Sequence, residues 1–286
     1  MEIRDWRSAI SAHGLANSTE AASYFLRCTL YLILLLAACQ SDNTAWERIQ
    51  ETGILRVGLD PTYPPFEVAD ETGLRGLDVD LAQAIAADLG LEVGFVYFGY
   101  DGLYDALATE QVDVLISALV VAPERTRDFA YSEPYFNAGE ILIVPELEAE
   151  IRGMADLDGR TLAVELGAQG HVEAIDWQHR LPDLTVNPYN TADEALAAIA
   201  RGEADAALVD AISGRLFLAN QTTNPSEASG HAQPTLQRTS DTVTVELFAL
   251  VVRIEDELLL EKLNESLDRL RAAGRLDEIT NHWLGR

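Results

Sequence analysis

Two kinds of hydrophobic pattern alternate along the chain after about residue 45. One is a short apolar run rich in Val, Ile and Leu, which is typical of a buried strand. The other repeats an apolar residue every three or four positions, as one face of a helix does. Leu81, Ile85 and Leu89 predict such a helix, and Gly90 directly after them suits a left-handed C-terminal cap. The predicted strands are residues 54–59, 91–98, 112–119, 140–144, 161–165, 184–188, 204–209 and 242–252.

Further helices are predicted over residues 192–201 and 255–273. Thr191 and Glu194 have the spacing of a capping box in front of the first of these helices. The segment 220–241 is rich in Thr, Ser, Asn and Gly, so it is expected to be a surface loop. Apolar strands that alternate with helices predict an α/β fold in which mostly parallel sheets are covered by helices.

A weak internal repeat predicts two lobes of similar build. Residues 105–117 and 194–210 each lead from an Ala-rich helical segment through an acidic residue into a buried strand. A chain of 286 residues is also long enough for its hydrophobic core to divide in two.

The N-terminal segment has the pattern of a secretory leader. Residues 30–38 form an apolar run after Arg27, and this run is too short to cross a hydrocarbon core of about 30 Å. It ends in Leu36-Ala37-Ala38-Cys39, which resembles the lipobox of bacterial lipoproteins. We therefore expect a signal peptide at 1–38, lipidation of Cys39 and a polar tether at 39–47. An ordinary signal with a chance Cys, or a buried helix, is the alternative.

Composition and charge exclude several classes of protein. The hydrophobic fraction of 48% is too high for a disordered chain. A formal charge of -27, from 47 acidic and 20 basic residues, repels phosphate backbones and anionic lipids, so no nucleic-acid partner is expected. The second cysteine, Cys28, falls in the predicted leader, so the mature chain is expected to hold no internal disulfide.

Motifs for covalent, metal or cofactor chemistry are not found in the sequence. It has no Gly-x-Ser-x-Gly, no Walker loop, no His-Glu-x-x-His and no Cys-x-x-Cys. No cofactor and no metal site are therefore predicted. Among the five histidines, only His171 lies in a predicted strand-to-helix turn where a cleft can form.

Charged, aromatic and polar residues follow the carboxyl ends of several predicted strands, where open α/β sheets bind their ligands. They are Asp60, Tyr63, Phe66, Tyr100, Ser117, Arg125, the turn 168–170 and Asp210. One guanidinium and one carboxylate with aromatic faces match a zwitterion, because Arg grips a carboxylate with two parallel donors and Asp accepts from an ammonium. The alternative is that Arg125 is an exposed first-turn residue and Asp210 a helix cap.

From about residue 54 to residue 283 the chain resembles the family 3 extracellular solute-binding proteins, the polar amino-acid receptors of ABC importers. The most specific segment is Gly76-Leu77-Asp78-Val79-Asp80-Leu81. The resemblance implies a type II periplasmic-binding-protein fold, with two α/β lobes joined by two hinge strands. Lobe 1 is then expected at 48–137 and 248–286, and lobe 2 at 138–247.

Roles for single residues follow from the same resemblance. Arg125 corresponds to the residue that holds the ligand α-carboxylate, and Asp210 to the acceptor for the α-ammonium. The other implied ligand-binding residues are Asp60, Tyr63, Tyr100, Ser117, Ala118 and Leu119 in lobe 1, and Ala168 and Gln169 in lobe 2. The turn Gly167-Ala168-Gln169-Gly170 lacks the hydroxyl residues that are frequent in the family.

The expected function is therefore an extracytoplasmic, lipid-anchored and monomeric receptor. It captures an amino acid by hinge closure and delivers it to the permease of an ABC transporter. The alternative is an enzyme similar to cyclohexadienyl dehydratases, which share the fold, with Glu165 or His171 as general acid. A third class, the input domain of a sensor, would need a membrane span and a signalling module, and neither follows in the sequence up to Arg286.

Overall fold

A computed structural model describes residues 44–223 and 235–285 of the protein. The chain divides into two compact units, residues 1–47 and residues 48–286. Residues 44–47 are the described part of the first unit, so the predicted leader and Cys39 lie outside the described residues. Among the helices of the described ranges, none combines the length and the hydropathy that a membrane span requires.

Helices and strands alternate along the described residues. In the first half they are α1 (Ala45–Thr52), β1 (Ile54–Leu59), β2 (Thr62–Tyr63), β3 (Glu67–Asp70), β4 (Gly73–Arg75), α2 (Leu77–Asp88), β5 (Glu92–Tyr97), α3 (Leu103–Ala108), β6 (Val114–Leu115) and β7 (Phe129–Tyr131). They continue with β8 (Phe136–Asn137), β9 (Glu140–Pro145), β10 (Thr161–Glu165), α4 (Gln169–Gln178), β11 (Thr185–Tyr189), α5 (Ala192–Ala200), β12 (Ala206–Asp210), α6 (Ala211–Thr223), β13 (Leu236–Thr242), β14 (Leu247–Phe248), β15 (Val251–Arg253), α7 (Glu257–Ala272) and α8 (Arg275–Leu284).

Two five-stranded mixed sheets form the cores of two lobes. The first has the order β5-β1-β6-β15-β7, in which β1 runs parallel to β5 and β6 while β15 is antiparallel. The second has the order β11-β10-β12-β9-β13, in which β10 runs parallel to β11 and β12 while β9 is antiparallel. The antiparallel pair β8 and β14 joins them as two hinge strands. The predicted two-lobe α/β fold is therefore confirmed.

Helix α2 forms as its hydrophobic pattern predicts. Leu77, Leu81 and Ile85 recur every four residues and are fully buried, so one face of the helix packs on the core. The helix ends at Asp88, and Gly90 has a φ of +71°, the left-handed conformation that a glycine adopts at least cost.

The cap of helix α5 differs in one hydrogen bond from the predicted capping box. The Thr191 side chain accepts a hydrogen bond of 3.2 Å from the Glu194 N–H, as predicted. The Glu194 carboxylate accepts from the N–H of Asn190, one residue before the position that a capping box requires. The helix still begins at Ala192, because both side chains satisfy backbone donors at its start.

Three predicted elements have wrong boundaries. Segment 220–241 is not a loop throughout, since α6 continues to Thr223 and β13 begins at Leu236, while residues 224–234 lie outside the described part. Strand β13 is an edge strand paired with β9 through backbone groups, so its polar sequence does not prevent pairing. Predicted strand 242–252 is divided into β14 and β15, and predicted strand 112–119 keeps only β6. Predicted strand 112–119 does not reach residue 119, because Ala118 has a φ of +46°, which interrupts extended backbone.

Candidate functional site

A cavity of about 340 Å³ opens at the carboxyl ends of β1 and β6. Acidic, aromatic and small residues line it: Asp60, Thr62, Tyr63, Glu67, Tyr100, Ser117, Ala118, Val120, Glu246 and Phe248. Five of these were predicted from the sequence, namely Asp60, Tyr63, Tyr100, Ser117 and Ala118. Its volume is in the range of cavities that hold small molecules.

A chain of hydrogen bonds fixes the floor of this cavity. The Ser117 hydroxyl accepts from the Asp60 N–H at 3.0 Å and donates to the Glu67 carboxyl at 2.6 Å. The Asp60 carboxylate accepts from the Thr62 hydroxyl and from the Tyr100 N–H, both at 2.8 Å. Because these bonds connect three different loops, the polar groups hold one another in position before any ligand arrives.

Asp78, in the first turn of α2, also holds the floor of the cavity in place through hydrogen bonds. Its Oδ2 accepts from the Ala118 N–H at 2.6 Å and from the Tyr135 hydroxyl at 3.0 Å. The first bond holds Ala118 in its left-handed conformation, which a residue with a side chain adopts only when its surroundings compensate the strain.

Glu67 and Asp78 form a buried carboxyl pair. Both residues are almost fully buried, and Glu67 Oε2 and Asp78 Oδ1 have no hydrogen-bond partner other than the opposing carboxyl group in the described part of the chain. Burial and the adjacent Asp78 raise the pKa of Glu67 far above its usual range, and burial also raises the pKa of Asp78. Two carboxyl groups in contact share a proton, so Glu67 keeps its proton at neutral pH and donates it toward Asp78.

Arg125 lies in the one-turn 3₁₀ helix Pro123–Arg125, on the exposed surface of the first lobe. Its guanidinium stacks on the ring of Tyr104, with Cζ 4.1 Å from the ring centroid. Among residues 44–223 and 235–285, no carboxylate forms an ion pair with Arg125. Stacking uses the face of the guanidinium, so its N–H edge remains available for a carboxylate.

Asp210 ends strand β12 in the second lobe and caps helix α6. Its Oδ1 accepts from the N–H groups of Ile212 at 3.1 Å and Ser213 at 2.9 Å. Oδ2 is therefore the oxygen with capacity for a ligand. The charge of Asp210 acts on Tyr63 of the first lobe: burial, together with the negative charges of Asp210 and Glu246, raises the pKa of Tyr63.

The remaining predicted residues lie outside the cavity. Ala168 is the N-cap of α4 and Gln169 its first residue, so both present backbone N–H groups at the start of that helix. His171, in the first turn, accepts a hydrogen bond of 3.1 Å from the Gly167 N–H through Nδ1. Leu119 is buried with its side chain in the core, and its carbonyl accepts from the Ala249 N–H at 3.0 Å.

Five lining residues are not among the predicted ligand-binding residues: Thr62, Glu67, Val120, Glu246 and Phe248. Glu67 directly follows Phe66, which the sequence analysis had placed after the end of strand β1. This neighbouring position was the sequence signal that could have identified Glu67 as a site residue. Glu246 reaches the cavity because its N–H donates to Asn137 Oδ1 at 2.9 Å, across the two hinge segments. No pattern in one segment of sequence reveals that contact.

Several carboxyl groups line this site or lie on the strands beside it. In the described ranges, Asp60, Glu67, Glu140, Asp210 and Glu246 form no ion pair with Lys or Arg. The described residues also contain no group of three or more His, Cys, Asp or Glu arranged to hold a metal ion. The described Lys and Arg residues therefore supply no direct counter-charge to these carboxyl groups.

Similarity to known proteins extends over most of the chain. The model of the bacterial extracellular solute-binding proteins, family 3, matches residues 55–286. L-cystine-binding protein TcyJ of Escherichia coli (strain K12) is 27% identical over 248 residues, or 86% of this chain and 88% of that protein. ABC transporter arginine-binding protein 1 of the same strain is 27% identical over 257 residues, or 89% of this chain and 98% of that protein.

Among solved structures, the unliganded open L-cystine solute receptor of Neisseria gonorrhoeae superposes with a TM-score of 0.69. It is 26% identical, and the match covers 85% of this chain and 98% of the receptor. Because the family model matches well over half of the residues, the chain belongs to the bacterial extracellular solute-binding proteins, family 3.

Proposed function

We propose that this protein is the extracytoplasmic binding protein of an ABC transporter, which captures an amino acid and delivers it to a permease. The observation that carries the proposal is the division of charge over the two lobes. Arg125 in the first lobe has no carboxylate partner in the described chain, and Asp210 in the second has one oxygen left for a donor. The names of the relatives, which bind cystine and arginine, support the same class of ligand.

Closure of the two lobes follows from the cost of burying a zwitterion. Each charge that leaves water costs several kcal/mol unless it is paired, and the two pairing groups come from different lobes. Only the closed form pairs both charges of the ligand. A ligand shifts an equilibrium only as far as its contacts differ between the two states, so this difference drives closure.

Replacing Arg125 with Ala tests the proposal. We expect the affinity for the bound amino acid to fall at least about 100-fold, because a buried carboxylate loses its charged partner. The melting temperature without ligand should fall only slightly, since the exposed stacking contact on Tyr104 contributes about 1 kcal/mol or less. Arg127→Ala, an exposed arginine two residues away, is the matched control and should bind normally.

Titration calorimetry measures both variants with the amino acid that stabilises the wild type most in a thermal-shift screen. Unchanged affinity in Arg125→Ala would remove this residue from the site. A screen in which no standard amino acid and no cystine raises the melting temperature would refute the proposed function itself.

The lobe boundaries are part of the proposal. We assign residues 48–137 and 248–286 to lobe 1 and residues 138–247 to lobe 2, with the connections at β8 and β14. These boundaries are supported by the two five-stranded sheets, because strands β1, β5, β6, β7 and β15 form one and strands β9 to β13 form the other. Limited proteolysis with and without ligand tests them, since closure should protect the hinge segments most.

Anchoring and oligomeric state belong to the proposal as well. We expect cleavage before Cys39 and a diacylglycerol anchor on its thiol, which a fatty-acid label incorporated by the wild type and lost in Cys39→Ser would support. Released from the anchor, the protein should be a monomer in light scattering. An unlabelled Cys39 in membranes would refute the anchor and leave ligand capture unaffected.

The proposed cycle assigns no chemical step to the cleft. In the alternative hypothesis the protein is a dehydratase, and Glu165 or His171 would act as the general acid. Incubation with prephenate or arogenate should therefore leave both compounds unchanged beyond their spontaneous decay. Accelerated formation of the aromatic product would replace the binding-protein proposal with an enzymatic one.

A further inference from the structure

Glu140 is a buried acid that the sequence analysis did not single out. It is the first residue of β9, and in the antiparallel register it lies directly opposite Asp210. Only 5% of its surface is exposed, and its Oε2 accepts no well-aligned hydrogen bond from the described residues. Two acidic side chains directly opposite each other on neighbouring strands destabilise the sheet unless something compensates their charge.

Helix α4 brings its N-terminus against the Glu140 carboxyl. A Cβ on Gly170 would lie 2.6 Å from Glu140 Oε2 and 2.9 Å from the Leu208 carbonyl oxygen, so the absence of a side chain permits this close approach. The Gly170 N–H points toward the carboxyl and favours its ionised form, as the positive end of a helix dipole does. His171 is the next residue, and its Nδ1 already accepts from the Gly167 N–H.

Among the described residues, the charged groups that act on the Glu140 carboxyl are all acidic. Asp210 lies on β12, Glu165 at the end of β10 and Glu246 on the segment before β14. Burial and the Asp210 carboxylate outweigh the helix N-terminus, and together they raise the pKa of Glu140 to about 7. In the empty protein the Glu140 carboxyl therefore holds a proton for much of the time at neutral pH.

We propose that Glu140 is a second carboxylate for the cationic group of the ligand, beside Asp210, and that it releases its proton when that group binds. The inference deepens the proposed function and rests on it. The proton passes from the Glu140 carboxyl to solvent, and the ligand's ammonium or guanidinium takes over the compensation of the charge. The buried site thus exchanges one positive charge for another.

Proton release is measured by calorimetry with L-arginine as the probe, in buffers of different ionisation enthalpy. Since the Glu140 proton is half bound near pH 7, wild-type protein should release close to one proton per ligand at about pH 6, about half at pH 7 and almost none at about pH 8.5. Because only the ionised carboxyl pairs with the cation, the affinity should rise about tenfold between about pH 6 and about pH 8.

Glu140→Gln separates this site from other titrating groups. We expect the variant to bind L-arginine without proton release and with an affinity that no longer rises with pH. Glu146→Gln is the matched control, because Glu146 is an exposed acid just beyond the other end of β9. It should behave like the wild type. The inference fails if wild type and Glu140→Gln release equal numbers of protons, or if the wild type binds without releasing any.

A deaminated arginine, 5-guanidinopentanoate, identifies which cation meets Glu140. It keeps the carboxylate and the guanidinium and lacks the α-ammonium. Release that persists with this compound assigns the guanidinium to Glu140. Release that disappears while binding remains assigns the α-ammonium, and both results support a cation at Glu140.

A measurement without ligand keeps the inference testable if L-arginine does not bind. Because the native pKa of Glu140 is raised, its stabilisation of the fold is complete below the unfolded pKa of about 4.3 and is lost as the pH rises toward the native pKa of about 7. Relative to Glu140→Gln, the wild type should lose unfolding free energy between about pH 5 and about pH 7 and little beyond. Parallel curves for the two proteins overturn the inference, whereas the absence of binding by any amino acid overturns the proposed function instead.

Discussion

Replacing Glu67 with Gln tests the buried carboxyl pair, because Gln imitates an acid that never loses its donor. Glu67 is 1% exposed, and burial beside Asp78 raises its native pKa, whereas in the unfolded chain the group ionises near about 4.3. The native state therefore holds one proton more than the unfolded state over the neutral range. The stabilisation that this proton gives the native state is complete below the unfolded pKa and is lost as the pH rises.

The size of the effect follows from one proton. A difference of one bound proton changes the unfolding equilibrium roughly tenfold per pH unit, or roughly a thousandfold between about pH 5 and about pH 8. Glu67→Gln keeps an acceptor for the Ser117 hydroxyl and a donor toward Asp78, so we expect the fold to survive and this share of the pH dependence to vanish.

Chemical denaturation of both proteins at several pH values measures the ratio of their unfolding constants. Glu71→Gln makes the same chemical change at an exposed turn between β3 and β4, and it should follow the wild type. A ratio between wild type and Glu67→Gln that stays constant with pH would show that Glu67 is ionised in the native state, and the shared proton would be refuted.

Two further pairs of substitutions test the floor of the cavity and its connection to helix α2. Asp78→Ala leaves the buried Ala118 N–H and Tyr135 hydroxyl without an acceptor, which alone should cost about 2 to 6 kcal/mol in unfolding free energy, and it also removes the partner of the Glu67 proton. Asp78→Asn keeps the acceptor oxygen and should lose much less. Gly76→Ala places a Cβ on the Phe66 carbonyl at a φ of +143°, and should cost about 3 kcal/mol or more. Gly73→Ala, at a φ of +116° with no neighbour in reach of the Cβ, measures the backbone strain alone. Equal losses in both glycine variants would contradict a steric role for Gly76.

The parts of the fold that were predictable depend on local pattern. Helix α2 was predictable because its buried positions recur every four residues and a glycine follows its end. Strand β13 was not, because an edge strand is held by backbone hydrogen bonds to β9 and its polar side chains give no apolar signal. The early end of the strand at β6 depends on Ala118, whose conformation is fixed by a distant side chain rather than by its own neighbours in sequence.

The site divides in the same way. Asp60, Tyr63 and Ser117 follow strands whose carboxyl ends meet, so topology alone predicted that they line one cavity. Glu67 and Glu140 escaped notice because a carboxyl group acquires an unusual protonation state only from its neighbours in space. Those neighbours lie on other strands and helices, and a single sequence does not show which acids meet.

Protonation also explains how so acidic a cleft remains folded when it is empty. Three carboxyl groups line the cavity and two more, Glu140 and Asp210, face each other on neighbouring strands; if all were ionised, without a cation from the described chain, they would repel one another at low local dielectric. Protons on Glu67 and Glu140 remove part of this repulsion, but they do so differently. The Glu67 proton is enclosed by Asp78 and Ser117 and remains in place, whereas the Glu140 proton sits against Asp210 at the proposed ligand. The first therefore stays with the floor of the site in every ligand state, and the second is the charge that a cationic ligand can replace. Both protons make the stability of the fold depend on pH, but only the Glu140 proton also makes ligand affinity depend on pH near neutrality.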